Sequence, residues 1–138
     1  MTALATPIET RAARVEVPAR SDRLVRFWLH AEGAAAFVAG TLLYLHGGGD
    51  ALLYLPLLLV PDVGMVGYLR SSRVGAFTYT LVHNWAIGLA VLGAGLAIDS
   101  GGVQIAGAIL IAHVGMDRAI GYGLKYAVGF KMTHLQRI

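Results

Sequence analysis

The chain has 138 residues, 57 % of them hydrophobic and 14 % charged, with a mean hydropathy of +0.65 and a net charge of +3. Water-soluble domains carry about 25 % charged residues, so this composition argues against one, and the length allows a single domain. The absence of cysteine excludes disulfides and thiolate ligands, and the basic residues sit at helix ends and not in one patch, which sets nucleic acid aside as a partner.

Residues 1–22 are polar, with Arg11, Arg14 and Arg20 interleaved with Glu9, Glu16 and Asp22, and Pro7 and Pro18 oppose a helix there. The segment reads as a cytoplasmic tail. Four apolar runs follow, each near the ~20 residues that cross a bilayer. The first, about 24–45, is too long for the core of a signal peptide and carries Glu32. It ends in the glycine turn at 47–49. The second spans 51–69 and contains Pro56 and Pro61; each proline removes a donor, freeing the carbonyls of Leu52 and Leu57. The third spans 74–98 and the fourth about 103–124, separated by the turn at 99–102. Beyond them, Lys125 to Lys131 mixes basic and apolar residues and reads as an interfacial segment. The expected fold is all-α: a four-helix membrane bundle over residues 23–138.

Lysine and arginine occupy the tail and the start of the first helix, the loop at Arg70 and Arg73, and the end of the chain at Lys125, Lys131 and Arg137. They are missing from the turns at 46–50 and 99–102. By the positive-inside rule both termini are cytoplasmic, and Trp28, Tyr122 and Tyr126 fit an aromatic belt on that side.

Five ionisable residues interrupt these runs: Glu32, Asp62, His83, His113 and Asp117. At ~1.5 Å per helical residue they lie about 10–16 Å from the cytoplasmic ends, close to one depth. A charge there costs roughly 2.5 kcal/mol or more on insertion scales, so such groups pair, bind ligands or move protons. His113 and Asp117 share a helical stripe, as do Tyr79 and His83, whose stripe continues through Ala86, Ala90 and Ala94; Glu32 stacks with Ala36 and Gly40. Imidazoles with carboxylates suit Zn2+, Fe2+ or Mn2+. On that reading His83, His113 and Asp117 are ligands, Asp62 is a fourth, Glu32 is a general base, and Arg118 holds an anionic headgroup. The competing reading is a hydrogen-bond network, Glu32 with His113 and Asp62 with His83, that glues the helices. Asn84 is expected to hydrogen-bond between helices, His30 and His46 to be interfacial, and His134 to be solvated or to fold back as a ligand.

Pro61-Asp62, Gly67-Tyr68-Leu69, Val74-Gly75, Tyr79 with His83, Ala112-His113-Val114-Gly115-Met116-Asp117-Arg118, Gly121-Tyr122-Gly123-Leu124-Lys125-Tyr126 and Thr133-His134-Leu135 follow in order. Together with Glu32-Gly33, this set resembles the DUF4260 family of small bacterial membrane proteins, over about residues 27–138. Thr80 departs from the asparagine expected after Tyr79. The resemblance implies a bacterial inner-membrane location and supplies no activity. Three functions stay open: a metal-dependent hydrolase acting on a membrane lipid or lipid-phosphate, a metal- or proton-coupled carrier acting as a homo-oligomer, and a non-catalytic membrane module.

Overall fold

The structure, a computed structural model, describes residues 19–124; residues 1–18 of the tail expected over 1–22, and the C-terminal segment with Lys125, Lys131 and His134, lie outside them, whereas residues 19–22 of that tail belong to the first helix. The described chain is helical throughout, with α1 (Ala19–His46), α2 (Ala51–Leu58), a 3-10 segment (Val60–Leu69), α3 (Ser72–Val82), α4 (Trp85–Ala97) and α5 (Gly101–Ala119). No strand occurs among the described residues.

One stretch, Ala51–Leu69, is long and apolar enough to cross a membrane, and only 11 % of it is buried within the protein. The bent pair α3 and α4 makes a second if the two are one span. The four uniform spans expected from the sequence are therefore not found among the described residues. α1 carries Arg23, Arg26 and Glu32 in its first half, and α5 carries Gln104, His113, Asp117 and Arg118.

Two expected helices are broken, and each break has a local cause. Pro61 cannot donate a hydrogen bond and its ring clashes with the carbonyl of Leu57 in an α-helix. The chain tightens there to shorter-range bonding, with Asp62 N donating to Leu59 O at 3.2 Å and Arg70 N to Gly67 O at 3.1 Å. The run expected over 74–98 breaks at His83-Asn84, and α3 and α4 meet at 45°. Asn84 adopts extended backbone (φ −125°, ψ 151°), and its side-chain oxygen accepts from Ile87 N at 3.1 Å, capping α4. Its amide donates to Thr80 O at 2.8 Å and Leu81 O at 2.9 Å, closing the end of α3. Asn84 thus serves both sides of the break instead of bridging separate helices.

α1 packs along α5, and α4 along its other side, through positions where backbones nearly touch. A Cβ on Gly40 would stand 2.5 Å from Ala112 N, and one on Gly33 2.6 Å from Ala119 N. Tyr44, Ala108 and Ile109 form the buried core, with Tyr54, Leu57 and Ile105 against it. α3 packs mainly on the 3-10 segment, and Thr78 Oγ1 ties the two by donating to Gly64 O at 2.6 Å. The fold is thus two packing units, α1–α4–α5 and 3-10–α3, with little helix contact between them. Asp62, His83, His113 and Asp117 lie where they meet. α5 ends at Ala119, five residues before the boundary expected from hydropathy: Gly121 takes a left-handed conformation (φ +90°) and Tyr122 N returns to Asp117 O at 2.7 Å.

Candidate metal centre

Four of the five ionisable residues converge. His113 on α5 is fully buried, His83 at the end of α3 is 3 % exposed and Asp117 on α5 is 9 % exposed. Asp62 comes from the 3-10 segment, and its side chain, 34 % exposed, is the accessible edge of the group. The Nε2 atoms of His83 and His113 are 2.9 Å apart. Asp62 Oδ1 lies 3.4 Å from His83 Nε2 and 3.7 Å from His113 Nε2, and Asp117 Oδ2 lies 3.8 and 3.9 Å from the same two atoms. One ligand atom from each of Asp62, His83 and His113 lies within 4.8 Å of the others, a spacing that suits a shared ion.

Backbone carbonyls fix the tautomers. His113 Nδ1 faces Leu58 O at 2.6 Å, and His83 Nδ1 faces Tyr79 O at 2.8 Å. A carbonyl only accepts, so both Nδ1 atoms carry the hydrogen and donate it. In the neutral imidazoles both Nε2 atoms then present lone pairs to each other, with two carboxylate oxygens beside them. The two facing Nε2 lone pairs repel unless a proton or a metal ion lies between them. For bonds of ~2.0–2.1 Å, tetrahedral ligands stand about 3.4 Å apart; the Asp62–His83 spacing equals that, the other nitrogen–oxygen spacings are longer, and the two Nε2 atoms are closer.

The Leu58 carbonyl is available because of Pro61. In an unbroken helix it would accept from Asp62 N, which instead donates to Leu59 O at 3.2 Å. The sequence predicts free carbonyls at Leu57 and Leu52; the carbonyl that faces His113 is that of Leu58. Leu57 O accepts from Leu59 N.

Tyr79 has no assigned role in the sequence reading, yet it touches two members of the group. Its ring stacks on His83 at 3.6 Å between centroids, 17° from parallel, and its hydroxyl donates to Asp117 Oδ2 at 2.9 Å. The available signal was its four-residue spacing from His83, which places both on one helical stripe.

Glu32 is not brought into the group. It is exposed, and the face of α1 that meets α5 runs through Gly33, Gly40 and Tyr44, about 100° around the helix from it. Of the two pairs expected in a hydrogen-bond network, Asp62 and His83 come within 3.4 Å of each other, and Glu32 and His113 are not brought together. The stripe expected to run from His83 through Ala86, Ala90 and Ala94 stops at the break: those alanines are exposed, and α4 meets α5 through Gly88 and Gly95. His30, expected at the interface, closes the end of α5 by facing Ala119 O at 2.8 Å through Nδ1.

Arg118 follows Asp117 and lays its guanidinium over Trp85, 5.1 Å from the ring centroid. Its Nε is buried and has no hydrogen-bond partner among the described residues. On the other flank of the site, Leu57, Pro61, Val63 and Gly64 line an apolar groove of about 500 Å³ against Ile105 and Ile109 of α5.

A family model described as a domain of unknown function, DUF4260, matches residues 26–138. No curated protein and no solved structure matches the chain.

Proposed function

We propose a function for a chain that belongs to the DUF4260 family, whose description assigns none: it is an integral protein of the bacterial inner membrane that binds a divalent transition-metal ion and uses it to hydrolyse a lipid or lipid-phosphate. The observation that carries this reading is the approach of two imidazole Nε2 atoms to 2.9 Å with both Nδ1 atoms committed to carbonyls. Only a metal ion or an extra proton relieves that arrangement, and the flanking Asp62 and Asp117 supply the negative charge a divalent ion needs.

His83, His113 and Asp117 are the buried ligands, and Asp62 is the ligand at the accessible edge. With four protein ligands, water or substrate would take a fifth position, and the one-sided exposure at Asp62 would give access to it. A divalent ion supplies Lewis-acid chemistry there, polarising a phosphoryl or carbonyl oxygen and lowering the pKa of water. Arg118, whose Nε lacks a partner among the described residues, offers a positive charge beside Asp117 for an anionic headgroup. Membrane insertion is supported by the little-buried stretch Ala51–Leu69 and by exposed side chains such as Leu52 (87 %) and Leu69 (88 %).

Elemental analysis of the detergent-purified protein tests the reading. We expect about one equivalent of Zn, Fe or Mn in the wild type and none in His113→Ala or Asp117→Asn. A wild type free of metal after purification and after Zn2+ loading leaves only a shared proton, and the metal reading is abandoned. Metal-loaded protein that releases neither phosphate nor acyl chain from lipid-phosphate vesicles points to a carrier.

A further inference from the structure

We infer that Tyr79 is the positioning residue of the metal centre, fixing His83 through its ring and backbone carbonyl and Asp117 through its hydroxyl; this rests on the metal reading above.

Tyr79 is 3 % exposed and lies one helical turn before His83. Three contacts converge on it. Its carbonyl accepts from His83 Nδ1 at 2.8 Å, which sets the tautomer and points Nε2 at His113. Its ring lies flat on the His83 imidazole at 3.6 Å, which holds the plane of that ligand. Its hydroxyl donates to Asp117 Oδ2 at 2.9 Å. That oxygen is also the one facing both Nε2 atoms, at 3.8 and 3.9 Å.

The last contact is the selective one. A carboxylate oxygen has two lone pairs, and with one taken by the phenol the other is left toward the imidazoles. Without the hydroxyl, Asp117 is free to rotate about its side-chain torsions and loses its fixed aim. The other ligands have their own supports: the Leu58 carbonyl holds His113, and the Tyr79 backbone holds His83 whatever side chain stands at 79. Tyr79 thus joins two ligands from different elements, His83 at the end of α3 and Asp117 on α5.

Tyr79→Phe isolates the hydroxyl, since the phenyl ring preserves the stack and the backbone carbonyl is unchanged. The probe is Co2+, titrated into metal-free protein in detergent and followed by its visible ligand-field bands. Loss of an outer hydrogen bond to a ligand weakens metal affinity about 10–100-fold. We expect a loss in that range for Tyr79→Phe, together with shifted ligand-field bands, which a merely structural substitution leaves in place. Because the effect runs through Asp117, Asp117→Asn and the double variant Tyr79→Phe/Asp117→Asn should bind Co2+ with equal, weak affinity. Wild type that binds Co2+ while Tyr79→Phe matches it in affinity and spectrum overturns the role of Tyr79 and leaves the metal centre standing. An additive double variant, weaker than Asp117→Asn, likewise removes the route through Asp117. Wild type that binds no Co2+ overturns both.

Discussion

His113 sits at the centre of the proposed chemistry because each of its ring nitrogens faces a different constraint: Leu58 O on one side and the second imidazole on the other. Metal binding needs the Nε2 lone pairs of both histidines, and protons compete for them. Affinity should therefore weaken as pH falls, because each proton taken up by an imidazole displaces the metal. An affinity that does not change with pH, measured by equilibrium dialysis, would show that the histidines are not the ligands. His113→Ala has a second, metal-independent effect. It strands the buried Leu58 carbonyl, which costs about 1–3 kcal/mol, so the metal-free variant should unfold more readily in denaturant than the metal-free wild type. At this scale the sequence was informative for residues that are costly in an apolar run. Asp62, His83, His113 and Asp117 stand out for that reason. Glu32 stands out equally, yet it falls outside, because helical phase separates it from Gly33 by one residue and a hydropathy scan does not resolve that difference. Leu58 was invisible to this reading, since its contribution is a backbone carbonyl.

The two breaks in the apolar runs place the site. Pro61 signals its own break through the missing donor, although the ten-residue 3-10 segment that follows is longer than such helices usually run. The break at His83-Asn84 has no proline or glycine to announce it, and an uninterrupted helix over 74–98 was the natural reading. Its only sequence mark is Asn84, a favoured N-cap residue that the surrounding apolar run conceals. The end of α3 leaves His83 off the regular helical path (φ −105°, ψ 32°), with its Nε2 turned toward α5. Asn84→Ala removes the acceptor for Ile87 N and the donor to Thr80 O and Leu81 O together. Loss of such a cap costs about 0.5–2 kcal/mol. The expected outcome is a destabilisation in that range, with amide hydrogen exchange accelerated around residues 80–88 before α5 responds. Uniform acceleration along α5 would mean that the break is not held locally by Asn84.

At the scale of the whole molecule, α1, α4 and α5 form one unit through close backbone approach, whereas the 3-10 segment and α3 form another that meets it mainly at the site. The proposed membrane topology makes a claim about how these units lie. The turn after α1 would be outside and the loop between the 3-10 segment and α3 would be cytoplasmic, because arginine occurs at Arg70 and Arg73 and neither lysine nor arginine occurs at 46–50. The stretch Ala51–Leu69, the one continuous segment among the described residues that is long and apolar enough to cross, joins those two loops and decides the matter. The chain contains no cysteine, so a single introduced thiol reports its own position. His46→Cys is preferable to a substitution at Gly48, whose φ of +83° strains any side chain. Ser72→Cys is its counterpart at the exposed start of α3. On intact cells an impermeant maleimide should label His46→Cys and reach Ser72→Cys only after permeabilisation. The reversed pattern inverts the orientation and moves the accessible edge at Asp62 away from the cytoplasmic leaflet. Equal labelling of both positions on intact cells would mean that Ala51–Leu69 does not cross, and the proposed multi-pass membrane fold would fall with it.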